Sequence, residues 1–146
     1  MNPEPLKIIL AEDDDGHAHL VQRNLERAGV VNSFVRASDG QELLDLLFAE
    51  GAEPETDATV ILLDINMPRI DGIEALRQIK ANPATRHIPV IMLTTTDDPR
   101  EVDRCYSLGC NVYITKPVAY EAFIDAIRRL GLFLEIVRKP RSGGGT

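Results

Sequence analysis

Five short apolar runs recur along the chain, and a stretch with helical spacing of its apolar residues follows each of them. The runs cover residues 6–11, 33–37, 59–64, 88–94 and 111–115, and are rich in Val, Ile and Leu, as strands covered on both faces should be. The stretches between and after them predict helices over 15–28, 39–50, 72–81, 98–108 and 120–137. Their inward faces read as Val21, Leu25 and Ala28 in the first, Ile73, Leu76 and Ile79 in the third, and Val102, Cys105 and Tyr106 in the fourth. Asp39 and Asp98 are placed to cap helices, and Gly29 and Gly109 to stop them. Strands alternating with helices of this length require right-handed crossovers. The expected fold is therefore α/β, a doubly wound five-stranded parallel sheet with helices on both faces.

A chain of 146 residues that is 44% hydrophobic can bury one good core and is too short for two ordinary domains. Residues 1–138 are expected to form that domain, with 139–146 as a flexible tail and 51–58 and 82–89 as loops. No run approaches the roughly 18 apolar residues of a membrane span. The first five residues lack the basic and apolar regions of a signal peptide, so a cytoplasmic location without membrane contact is expected. A net charge of -7 argues against attraction to nucleic acid, because phosphate contacts need clustered Lys and Arg. Cys105 and Cys110 have neither a second pair nor a neighbouring His, and read as reduced thiols rather than a disulfide framework or zinc site.

The chemistry lies where the apolar runs end. Glu12 and Asp13 follow the first run, Asp64 ends the third, Thr94 ends the fourth, and Lys116 follows the fifth. In an open parallel sheet the carboxyl ends of the strands share one edge, so these residues converge on a common ligand. Carboxylates gathered there repel by about 4 kcal/mol per pair at ~4 Å and an effective dielectric near 20. Hard oxygen ligands with room for water suit Mg²⁺, which bridges carboxylates to phosphate. Lys116 and Thr94 supply a mobile positive charge and a neutral donor for phosphoryl oxygens, leaving Asp64 as the nucleophile.

With the pieces Glu12-Asp13, Asp64-Ile65-Asn66-Met67-Pro68, Asp71-Gly72, Thr94-Thr95 and Lys116-Pro117 in this order, the chain resembles the receiver domain of a two-component response regulator across residues 6–137. The resemblance implies the flavodoxin-like receiver fold. It also implies that Asp64 accepts a phosphoryl group from the phosphohistidine of a histidine kinase. Asp13, Asp64 and the Asn66 main-chain carbonyl would ligate Mg²⁺, for which Mn²⁺ could substitute, with Glu12 acting mostly through water. Thr94, the Thr95 amide and Lys116 would contact phosphoryl oxygens, Thr94 and Tyr113 would form the switch, and Lys116-Pro117 matches a peptide that is cis in the family. Such a domain catalyses its own phosphorylation and dephosphorylation without being an enzyme in the ordinary sense. Many members carry Asp where this chain has Glu12. The runs Leu93-Thr-Thr-Thr96, Tyr113-Ile-Thr-Lys-Pro117 and Leu130-Gly-Leu-Phe-Leu-Glu-Ile-Val137 further resemble small single-domain regulators paired with phytochrome-type kinases, which would make a bacteriophytochrome the partner.

Competing readings can be weighed on particular residues. Aspartyl-phosphate hydrolases place a second Asp two positions after the nucleophile, and here that position is Asn66. A nucleotide site needs a glycine-rich loop after the first strand, whereas residues 11–16 are acidic. A relay intermediate or phosphate sink uses the same residues and stays open as the alternative to a terminal regulator. His17 and His19 lie two apart on a helix, cannot face one ligand together, and read as solvated. In the last helix Phe123, Ile127, Leu130, Leu134 and Val137 form a stripe, while Leu132, Phe133 and Ile136 make its end apolar almost all round. One sheet face cannot cover all of these, so a homodimer through this helix is expected. Gly131 marks a point where the helix could bend or break.

Overall fold

A computed structural model describes residues 6–29, 31–50 and 59–137, so the expected loop 51–58 and tail 139–146 lie outside the described residues. Strands and helices alternate as β1 (Leu6–Ala11), α1 (Asp15–Arg27), β2 (Val31–Ala37), α2 (Gly40–Phe48), β3 (Thr59–Leu63), α3 (Gly72–Ala81), β4 (Val90–Thr94), α4 (Pro99–Leu108), β5 (Val112–Thr115) and α5 (Tyr120–Val137). All strand pairings are parallel and the sheet order is β2-β1-β3-β4-β5. The order reverses beside β1, which places a crevice outside the carboxyl ends of β1, β3 and β4.

Alternation along each strand divides the core into two layers. Ile9, Ile61, Leu63 and Met92 point to the face that also holds Leu43, Leu76, Ile79 and Cys105 from α2, α3 and α4. Ile8, Leu10, Leu62, Ile91 and Leu93 point to the opposite face, where they meet Val21 and Leu25 of α1 and Phe123, Ile127, Leu130 and Leu134 of α5. Asp39 accepts from the Glu42 N–H and Asp98 from the Arg100 N–H, so both cap helices as expected. Gly29 and Gly109, at φ 78 and 107, take the left-handed turn that ends α1 and α4.

Several expectations are corrected. Ala28 is exposed beyond the end of α1, and Tyr106 is 48% exposed on α4, its hydroxyl accepting from the Tyr113 N–H at 3.1 Å. The helical spacing could not separate a phenol that closes the free edge of β5 from one that enters the core. Gly131 does not break α5. A Cβ there would lie 3.1 Å from that of Ala28, so the missing side chain lets α5 cross close to α1. Phe123, Ile127, Leu130 and Leu134 are each at most 4% exposed, because one stripe of α5 is consumed by the chain's own sheet. They are not available to a second copy, whereas Leu132 at 61% and Phe133 at 43% exposure are. The side chains of Ile136 and Val137 lie outside the described residues. No cis peptide occurs among the described residues, so Lys116-Pro117 is trans, the isomer of lower intrinsic energy.

Close backbone approach also fixes the loop that follows β3. The Gly72 N–H donates to the Ile65 carbonyl at 2.8 Å, drawing the start of α3 against the end of β3. A Cβ on Gly72 would fall 2.0 Å from the Asp64 carbonyl oxygen. Neither partner can yield without moving the backbone that carries Asp64. Gly72→Ala is therefore expected to destabilise the fold by about 2 to 3 kcal/mol or more, measured by urea unfolding against the parent chain.

Candidate functional site

Each strand-end residue is set by its strand. The Glu12 N–H extends the β1–β2 ladder to the Ala37 carbonyl at 3.0 Å, and the Asp64 N–H bonds the Ala11 carbonyl at 3.1 Å. The Lys116 N–H bonds the Thr94 carbonyl at 2.6 Å, tying the end of β5 to the end of β4. Arg36 on β2 donates through Nε and a terminal nitrogen to the Glu12 carbonyl at 3.0 and 2.8 Å, and pairs with Asp15 at 2.6 Å. These bonds fix the backbone from which the acidic side chains project.

Glu12, Asp13 and Asp64 bring one carboxylate oxygen each to within 4.8 Å of one another. Glu12 and Asp64 are buried and Asp13 is exposed, so the cluster opens to solvent on the Asp13 side. The Lys116 ammonium, itself buried, bonds Glu12 Oε1 and lies 3.3 Å from Asp64 Oδ2. Burial pushes the Glu12 carboxyl up to about 7, against the downward pull of the Lys116 bond and charge. Three carboxylates beside one lysine leave a net negative site with hard oxygen donors, which fits a small divalent cation better than any softer metal.

Thr94 is fully buried beside this cluster, and Thr95 next to it is exposed. The Thr96 N–H reaches back to Thr94 Oγ1 at 3.5 Å. The Asn66 side-chain amide donates to Thr96 Oγ1 at 3.1 Å, and its own N–H approaches Asp64 Oδ1 at 3.4 Å. Tyr113 is half-buried, and its hydroxyl donates to the Thr96 carbonyl at 2.5 Å. Burial lifts its phenol to about 12. The β3 loop, the β4 loop and β5 are thus linked through Thr96.

Glu12, Asp13, Asp64, Thr94 and Lys116 are together as the strand ends predicted. His17, Arg36 and Thr96 belong to the site as well. His17 Nδ1 lies 3.3 Å from Lys116 Nζ, so this histidine is not simply solvated. Its position four residues after Asp13, in the first turn of a helix leaving the same sheet edge, was the available signal. His19 is exposed. Cys105 and Cys110 are free and buried, and burial raises both thiols, Cys105 to about 11, away from the reactive thiolate.

Comparison with known proteins matches this arrangement: the response regulator receiver domain aligns with residues 8–128. The chain belongs to that family. Response regulator Rcp1 of Synechocystis is 37% identical over 141 residues, covering 95% of each chain. Its Mn(2+)-bound structure superimposes with a TM-score of 0.83 at 31% identity, over 94% of this chain and 100% of that one. A receiver domain from Rhodospirillum rubrum reaches a TM-score of 0.84 at 46% identity, over 92% and 97% of the two chains. The phosphorylated cyanobacterial phytochrome response regulator RcpA gives 0.83 at 29% identity, over 97% and 100%. As a receiver domain, the protein is a phosphoacceptor in two-component signalling rather than an enzyme turning over a free substrate. Among the described residues no helix is long and apolar enough to cross a membrane.

Lys116 is the cation bonded to Glu12 and 3.3 Å from Asp64, and its removal leaves both buried carboxylates without it. Lys116→Met is expected to destabilise the metal-free protein by about 3 kcal/mol or more. Mg²⁺ should restore part of the loss, and thermal melts with chelator and with Mg²⁺ measure both effects.

Proposed function

We propose that Asp64 is the phosphoacceptor and that this receiver domain takes its phosphoryl group from the phosphohistidine of a sensor histidine kinase of the phytochrome type. The observation that carries this reading is the buried Asp64 carboxylate, held beside Lys116 at the central strand end with Glu12, Asp13 and Thr94 around it. An Asp64 oxygen attacks phosphorus, the P–N bond to the imidazole breaks, and the imidazole leaves with the bonding electron pair. The product is an acyl phosphate, and attack of water on phosphorus returns Asp64 and inorganic phosphate. The domain catalyses both steps on itself.

Asp13, Asp64 and the Asn66 main-chain carbonyl would hold Mg²⁺, or Mn²⁺ in its place, with Glu12 acting mostly through water. The ion supplies charge neutralisation for the acidic cluster and the phosphoryl oxygens. Lys116, the Thr94 hydroxyl and the Thr95 amide take the remaining oxygens. That Rcp1 binds Mn(2+) and RcpA can be phosphorylated supports the choice.

Signalling follows from a shift between arrangements of the Thr94 and Tyr113 pair. Phosphorylation places about two further negative charges at Asp64, drawing Thr94 inward and letting Tyr113 exchange its bond to the Thr96 carbonyl for the vacated space. The remodelled face comprises α4, β5 and α5, and its output is protein contact in the cytoplasm, not contact with nucleic acid or membrane. Residues 1–138 act as the receiver unit and 139–146 as its tail. The chain pairs with a second copy through the end of α5, where Leu132 and Phe133 remain exposed.

Asp64→Asn is expected to abolish labelling by acetyl phosphate or by a phosphorylated kinase, read on a Phos-tag gel. Full labelling of that variant would sink the assignment. For assembly, each Leu or Phe buried contributes roughly 1.5 to 3 kcal/mol. Leu132→Asp combined with Phe133→Asp should therefore turn a dimer into a folded monomer in light scattering, and a parent chain already monomeric at micromolar concentration would retire the dimer.

A further inference from the structure

We propose that His17 is the residue that positions Lys116 during phosphoryl transfer, a role that rests on Asp64 being the phosphoacceptor. A lysine ammonium has three N–H donors and no acceptor. Each donor of Lys116 has a counterpart: Glu12 Oε1, Asp64 Oδ2 at 3.3 Å and His17 Nδ1 at 3.3 Å. The neutral imidazole with its proton on Nε2 offers Nδ1 as that third acceptor.

Of the three acceptors, two change during the reaction. Asp64 becomes an acyl phosphate and loses a carboxylate oxygen to the new bond. Glu12 belongs to the acidic cluster and would share its charge, mostly through water, with a cation held there. His17 neither reacts nor carries charge in its neutral form, so its bond to Nζ can persist while the other two are reassigned to phosphoryl oxygens. A compact ammonium on a flexible stem needs such a fixed point to be held over the transferring group.

The imidazole is itself well held. Its backbone N–H donates to the Asp14 carboxylate at 2.9 Å, in the first turn of α1. Its ring stacks on Phe123 of α5, with centroids 5.2 Å apart and planes inclined by 27°. Phe123 is 4% exposed and packed into the α1–α5 layer. The ring is therefore oriented by its stacking on Phe123 and presents Nδ1 to Lys116 at 3.3 Å, with Glu12 Oε1 farther off at 3.9 Å.

Two substitutions separate the hydrogen bond from the packing. His17→Phe keeps a ring against Phe123 and deletes the acceptor, whereas His17→Asn deletes the ring and keeps an oxygen acceptor near the place of Nδ1. With acetyl phosphate and saturating Mg²⁺, His17→Phe should lower the maximal labelling rate about tenfold, the equivalent of one hydrogen bond to a charged group. The half-saturating acetyl phosphate concentration should stay unchanged, and His17→Asn should recover most of the rate. In the metal-free, unphosphorylated protein, the ¹H–¹⁵N signal of the Lys116 ammonium should broaden or vanish in His17→Phe and persist in His17→Asn. Parent-like labelling by His17→Phe, equal losses in both variants, or an unaltered ammonium signal would overturn the role. If the parent chain is not labelled at Asp64, the phosphoacceptor reading fails by itself, and the ammonium signal still decides whether His17 anchors Lys116.

Discussion

One buried ammonium organises the carboxyl edge of this sheet. Lys116 is taken out of water against Glu12 and Asp64, which are also buried, and charges so placed are tolerable only when each is closely matched. The match requires β1, β3 and β5 to end at the same level, and the parallel register brings them there. One lysine offsets only one of the two buried carboxylates, and the exposed Asp13 adds further negative charge. The same arrangement thus sets one lysine against a cluster that keeps a net negative charge.

Around that pair the structure supplies two kinds of connection. The first runs through Thr96, which receives Asn66 from the β3 loop and Tyr113 from β5 and lies two residues past the buried Thr94. The loop that follows Asp64 is thereby linked by hydrogen bonds to β5 and, through Tyr113 and Tyr106, to α4. The second runs through His17 to Phe123 and is a packed contact into α5. Packed contacts are short in range and stiff, so this route ties the position of Lys116 to the layer formed by α1 and α5.

Besides the turns at Gly29 and Gly109, two glycines act through space. Gly72 admits the Asp64 backbone to the start of α3, and Gly131 admits Ala28 to α5. Both sit at the first turn or in the interior of a helix, where a reading of local conformation treats glycine as a weakness. The benefit lies in the neighbouring element, which local sequence does not show. Arg69 illustrates the same dependence: its φ of 66 is unusual for a residue with a side chain, and its guanidinium is paired with Asp39 at 2.9 Å across the loop.

Sequence by itself determined the layer structure and the membership of the acidic edge. Apolar runs of strand length alternating with helical periods admit few arrangements, and residues that end parallel strands must share an edge, so Glu12, Asp13, Asp64, Thr94 and Lys116 could be grouped before any contact was known. Helix caps at Asp39 and Asp98 were legible because they act within a few residues. Tertiary structure alone decided which apolar residues of α5 face the core, why Tyr106 turns outward to β5, and that His17 meets Lys116 across 99 positions of chain. Periodicity gives the angle of a side chain about its own axis. What stands opposite that angle depends on how closely two elements pack, and that is set by the backbone approach at positions such as Gly131 and Gly72.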